Sequence, residues 1–198
     1  MSEDEVARTL QAYESDADAY VEKYRTESVL ARYGEAFLEA LEATGRTRVL
    51  DVGCGPGVDS AALEARGYDA VGLDPTESFL RAATAAVPSA SFLRGDMRAL
   101  PVATGAVDGL WACASFLHVP RADAPATLRE FRRVLDADAV LYLSVKRPDL
   151  AARDGSDRHF EPYRSAEIRD LLEAAGFERV TVTELDGWVS AIARTPAE

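Results

Sequence analysis

The run Val49-Leu50-Asp51-Val52-Gly53-Cys54-Gly55-Pro56-Gly57 governs how the rest of this chain is understood. Its first part belongs to an apolar, β-branched run from Thr47 to Val52, which predicts a buried strand. Three glycines at alternate positions follow at once. Glycine accepts positive φ and lets a ligand approach the backbone closely. Past the turn, Ser60 to Arg66 predicts a helix that Gly67 stops. Strand, glycine turn and helix, in that order, open a nucleotide-binding α/β sheet.

The next predicted strand, Ala70 to Leu73, ends on Asp74. A carboxylate at the tip of the second strand can accept both hydroxyls of a ribose. A dinucleotide fingerprint counted from Gly53 would need a small residue where Val58 stands. The spacing found is instead Asp51-x-Gly53-x-Gly55-x-Gly57. Together with Asp74 it resembles motifs I and II of the class I S-adenosylmethionine (SAM) methyltransferases.

That resemblance implies a Rossmann-like α/β fold. Its seven-stranded, mostly parallel sheet would end in an antiparallel C-terminal hairpin, with helices on both faces and an N-terminal lid helix. It implies SAM as cofactor. Gly53, Cys54, Gly55, Pro56 and Gly57 would line the methionine and ribose part, with Asp51 facing the methionine end. Asp74 would hold the ribose, with Pro75 and Thr76 beside the adenosine. Gly95-Asp96-Met97 would meet the adenine, Asp96 accepting from its exocyclic amine and Met97 lying on its face; an Asx turn explains the same residues. Tyr20 or Tyr13 on the N-terminal helix would reach the cofactor. Ala114 and Ser115, past the fourth strand, sit where the methyl group should point.

Composition sets the partners expected. A chain of 198 residues suits one domain spanning 1–198, with 1–26 as a lid helix and 146–162 as a substrate loop. A net charge of −12 argues against a nucleic-acid surface. The expectation is a small-molecule methyl acceptor, no nucleic acid, no membrane, and a monomer or homodimer. Lys23 and Lys146 are the lysines, against twenty arginines. An acidic, lysine-poor surface fits a high-salt cytoplasm, and GC-rich codon usage explains it equally. Met1 to Glu5 has no basic or apolar leader character, and the two cysteines form no CxxC, which predicts a cytoplasmic protein. Two His and two Cys without ligand spacing predict no metal site.

Along the chain, Val6, Leu10, Tyr13, Ala17, Tyr20 and Tyr24 predict one amphipathic helix, and Ser28 to Ala43 a second, capped by Ser28. A third runs to about Ala86 with Thr76 as cap. Ser91 to Leu93 and Val107 to Cys113 predict strands. Arg121 to Leu135 predicts a helix, Asp136-Ala137-Asp138 a turn, and Ala139 to Val145 a strand buried on both faces. Lys146 to Glu161, containing Gly155, reads as a long polar loop. Ser165 to Ala175 predicts a helix, and the alternating runs around Asp186-Gly187 a hairpin.

Methyl transfer from a sulfonium needs an aligned nucleophile, and a base only where that nucleophile is protonated. His118 is the candidate catalytic base; a histidine that hydrogen-bonds the loop is the alternative. His159 is expected in solvent. Phe160, Tyr163 and Trp188 either wall an acceptor site or pack the core. Arg158 and Arg164 either receive an anionic substrate or stand exposed. No Asn/Asp-Pro-Pro-Tyr/Phe run follows the fourth strand, which argues against amino methylation of bases or glutamine. The rival functions are a non-catalytic SAM-binding protein and an NAD(P)-dependent oxidoreductase.

Overall fold

The computed structural model describes residues 2–151 and 158–197. Among them the sheet has seven strands in the order β3-β2-β1-β4-β5-β7-β6. These are β1 (Arg48–Val52), β2 (Asp69–Asp74), β3 (Ser91–Arg94), β4 (Val107–Ala112), β5 (Leu135–Lys146), β6 (Glu178–Leu185) and β7 (Trp188–Arg194). The first five pair in parallel, and β7 runs antiparallel between β5 and β6. Asp186 and Gly187 both take positive φ, the backbone a two-residue hairpin turn requires.

The central strands are apolar on both faces. Leu50, Leu110 and Leu141 enter one core cluster, while their neighbours Val49, Trp111 and Val140 enter the other. Period-two alternation therefore feeds two cores at once. The first core lies under α7 (Ala124–Val134) and α9 (Ser165–Ala174). The second lies under α4 (Glu35–Glu42) and α5 (Val58–Glu64). There Trp111 stacks on Tyr142 of the adjacent strand at 3.9 Å.

Local chemistry departs from the sequence reading at four places. The N-terminal stripe makes two helices, α1 (Ser2–Ser15) and α2 (Ala17–Tyr24), with Asp16 off helical geometry. Ser15 turns its hydroxyl back to donate to the Gln11 carbonyl, and such side chains compete with the helical backbone. The second predicted helix divides into α3 (Val29–Tyr33) and α4 at Gly34, where a Cβ would sit 2.5 Å from the Leu30 carbonyl oxygen. Ser28 does cap α3, accepting from the Ala31 amide. Thr76 makes no side-chain cap for α6 (Glu77–Ala86); Glu14 of α1 accepts from the Glu77 amide instead. Asp136 to Asp138 is no turn between elements, because β5 already begins at Leu135. Thr195 ties it in, accepting from the Ala139 amide and donating to the Asp136 carbonyl.

Of the polar loop, Lys146 ends β5, Pro148–Ala151 forms the short α8, and Gly155 lies outside the described residues. Among the described residues no helix is long and apolar enough to cross a membrane. Both cysteines are free.

Candidate active site

Five parallel strands deliver their carboxyl ends to one cavity of about 460 Å³. Gly53 and Gly55 come from β1, Asp74 and Pro75 from β2, Asp96 and Met97 from β3, Ala114 and Ser115 from β4, and Lys146 from β5. In open α/β sheets ligands bind at this end, where the strand order reverses between β1 and β4. A shallow hollow of equal volume beside Arg133 and Asp136 holds none of the motif residues.

The glycine turn has steric reasons. Gly53 has φ +75°, and a Cβ on it would lie 2.3 Å from the Ser115 Cβ. Its close neighbour is therefore the segment that follows β4. Gly55 faces the cavity; a Cβ added there would meet the Tyr20 ring at 3.9 Å and nothing nearer. Asp74 is 6% exposed. One of its oxygens accepts from the Gly55 amide at 3.0 Å, the other from the Thr76 amide at 2.8 Å. Each oxygen keeps acceptor capacity for a hydroxyl. Burial raises the Asp74 pKa, and those two amides oppose the shift.

Asp51, Cys54, Pro56, Gly57 and Gly95 stand outside the cavity wall. Asp51 is buried behind the turn and accepts from the Ser60 hydroxyl at 2.6 Å. Burial first, and then Asp59, raise its pKa. Asp96 is engaged by Arg98, whose guanidinium reaches both carboxylate oxygens and bridges on to Asp123. Burial pushes the Asp96 pKa up, but its bonds from Arg98 outweigh that and hold it low.

The cavity wall formed by α1, α2 and α6 is aromatic. Tyr13 and Tyr20 meet edge to face at 5.4 Å, and Tyr20 lies on Phe79 at 4.9 Å. His118 sits on the 3-10 turn Phe116–His118. Its Nδ1 lies 2.7 Å from the His159 carbonyl oxygen, which can only accept, so Nδ1 carries the proton. Its Nε2 then accepts from the Tyr13 hydroxyl at 2.9 Å. Burial, reinforced by Arg158 and Lys146, lowers the His118 pKa to about 4. The ring is neutral near pH 7.

His159 is not in open solvent; its amide donates to Thr9, and its Nε2 lies 3.3 Å from Glu161. Phe160 and Trp188 line the cavity beside Arg158. Tyr163 does not: it is fully buried against Phe116, under Arg121. Arg164 is exposed at the start of α9, away from the cavity.

Sequence reasoning does not single out Asp59. It accepts from Trp111 Nε1, the Ser28 hydroxyl and the Leu30 amide, fastening α3 to the glycine-turn helix α5. The signal that could have found it is a tryptophan in a buried strand, whose N–H needs an acceptor. Among the described residues no group of three His, Cys, Asp or Glu is placed to hold a metal.

A methyltransferase domain family matches residues 49–138. A malonyl-[acyl-carrier protein] O-methyltransferase of Dechloromonas aromatica is 32% identical over 186 residues, covering 89% of this chain and 68% of that protein. This chain belongs to the SAM-dependent methyltransferases. The 18S rRNA (guanine-N(7))-methyltransferase of Schizosaccharomyces pombe is 29% identical over 169 residues, covering 82% of this methyltransferase and 60% of that one. This methyltransferase spans about half the length of several curated relatives it matches. In fold it is similar to Burkholderia thailandensis 1,6-didemethyltoxoflavin-N1-methyltransferase, with a TM-score of 0.76, 19% identity, and 99% and 91% of the two chains covered.

The relatives correct one expectation. Two of them are named for 18S rRNA, so the charge-based exclusion of nucleic acid, and with it the restriction to small-molecule acceptors, falls. Net charge sums the whole surface, whereas an acceptor meets only the rim of one cavity. The cofactor of this methyltransferase is SAM, and the residues fit it. Asp74 offers two oxygens to a vicinal diol, and Gly55 leaves the space a ligand needs.

Proposed function

We propose that the chain transfers the methyl group of SAM to an acceptor held between Tyr13, His118, Phe160 and Trp188. The observation that carries this reading is one continuous cavity. It runs from Asp74 and the glycine turn, past Ala114 and Ser115, to His118 and Lys146. When bound, SAM supplies a methyl group on a sulfonium leaving group. Asp74 would hold the ribose, and Tyr20 and Tyr13 would close over the cofactor and exclude water. Asp51, buried behind the turn, would hold the glycine turn in place by accepting from the Ser60 hydroxyl of α5. Ser115, fixed by donating to the Val52 carbonyl at 2.6 Å, would keep the floor beneath the methyl group in place.

Calorimetric titration tests the cofactor half: SAM and S-adenosylhomocysteine should bind, and NAD should not. Asp74→Asn should weaken SAM about a hundredfold, the loss expected for a charge-assisted pair. Transfer is tested with methyl-labelled SAM against three acceptor pools: a metabolite extract, rRNA and malonyl-acyl carrier protein. The closure of His118 onto Tyr13, which leaves it no free lone pair, favours a second reading, SAM binding without transfer. Tight SAM binding with no label transferred to any pool would decide for that reading.

A further inference from the structure

We infer that His118 is a positioning residue that sets two walls of the cavity at once. Its Nε2 holds Tyr13 at the cofactor end, and its Nδ1 holds residues 158–161 at the acceptor end. This rests on the SAM-binding reading of the cavity and gives the histidine a task other than proton transfer.

The support is a closed ring of hydrogen bonds among three segments distant in the chain. Thr9 and Tyr13 stand four residues apart, on one face of α1. The Thr9 hydroxyl oxygen accepts from the His159 amide at 2.9 Å. The His159 carbonyl oxygen lies 2.7 Å from His118 Nδ1, and His118 Nε2 lies 2.9 Å from the Tyr13 hydroxyl. That last bond returns the ring to α1. The Glu161 amide adds a tie beside it, donating to the Leu117 carbonyl at 2.7 Å.

The protons of this ring are directed from both ends. The His159 carbonyl can only accept, which places a proton on Nδ1. At the other end Arg158 Nη1 donates to the Tyr13 oxygen at 3.3 Å. Burial keeps Tyr13 a hydroxyl by raising its pKa, and its one proton is left for Nε2. Both ends require the same neutral tautomer, whose lone pair is spent on Tyr13.

Tyr13 passes the constraint on. Its ring meets Tyr20 at 5.4 Å and Phe79 at 5.6 Å, both edge to face. Tyr20 lies over the glycine turn, 3.9 Å from where a Cβ on Gly55 would stand. On the other side the imidazole lies 5.0 Å from the Phe160 ring. A change in the imidazole is therefore felt over the glycine turn and at Phe160 together.

The test uses the full chain, calorimetric titration with SAM, and proton–nitrogen correlation NMR. His118→Asn, too short to reach Tyr13, and Tyr13→Phe should each weaken SAM by about tenfold, the effect of one lost buried hydrogen bond. The double variant should be no weaker than about either single one, because both remove the same contact. His118→Gln brings a carbonyl oxygen to the Nε2 position and should restore most of the affinity. A base serving only the acceptor leaves SAM affinity unmoved in His118→Asn, and a contact that merely stabilises the fold lowers the urea midpoint without changing it. NMR at about pH 7.5 should find the His118 proton on Nδ1, and Tyr13→Phe should move the Nε2 resonance far more than Nδ1. Unmoved SAM affinity, additive losses, His118→Gln no better than His118→Asn, or a proton on Nε2 each overturns the inference. A parent chain that binds no SAM is a separate failure, which removes the SAM-binding reading and this inference with it.

Discussion

Gly53 shows how one residue can be fixed by two independent constraints. Its positive φ disfavours any side chain, and its Cβ direction is already filled by Ser115. Gly53→Ala should therefore cost about 2–4 kcal/mol, read as a lower urea midpoint with an unchanged slope. His118 carries a pH dependence of definite sign. Its folded pKa of about 4 lies below the ordinary 6.5, so the unfolded chain binds the proton more tightly. The stability it contributes is complete above pH 6.5 and is lost as pH falls toward 4, on the order of 3 kcal/mol in all. Urea titrations at pH 7.5 and 4.5 should show a larger loss in the parent than in His118→Asn. The buried carboxylates Asp51 and Asp74 act with the opposite sign. Burial raises both pKa values, so these groups favour the fold as pH falls, and comparison with the variant isolates the histidine.

At the scale of elements, the glycine-turn helix α5 is held by a clamp as well as by its apolar face. Asp59 gathers Trp111 from β4 with Ser28 and Leu30 from the start of α3. Asp59→Ala would leave the fully buried Trp111 N–H without a partner, and it should cost about 2–4 kcal/mol of stability in urea. It should also weaken SAM binding, because α5 positions the turn. The order of strands and helices is readable in the sequence, since apolar runs and glycine stops are local signals. The interruptions at Asp16 and Gly34 are not. The apolar stripe continues across both, and the breaks lie in the backbone: Asp16 and Gly34 leave helical geometry, and at Gly34 only glycine fits against the Leu30 carbonyl. Likewise the bulged start of β5 depends on Thr195, which is 59 residues from its Asp136 partner.

For the whole molecule, a net charge of −12 predicts self-repulsion that salt relieves. Raising ionic strength from 0.1 to 1 M shortens the screening length from about 10 to 3 Å. The thermal midpoint should rise by several degrees over that range. The exposed Arg–acid pairs, such as Arg94–Glu77 and Arg147–Glu184, weaken too but contribute little individually. A midpoint that falls with salt would show that these pairs outweigh the repulsion. The same net charge misleads about partners, because it averages over a whole surface, while the cavity at the strand ends collects both lysines.

Strand periodicity and glycine placement act within a few residues, so the order of amino acids was enough for the α/β sheet, the glycine turn and the terminal carboxylate of β2. Folding was needed to engage Asp96 with Arg98 and to close His118 onto Tyr13, 105 residues away. Folding also brought Lys146 and Arg158 over one ring. Those contacts join segments that no local pattern links. The neutral state of His118 follows from burial, which exists only once the chain has folded.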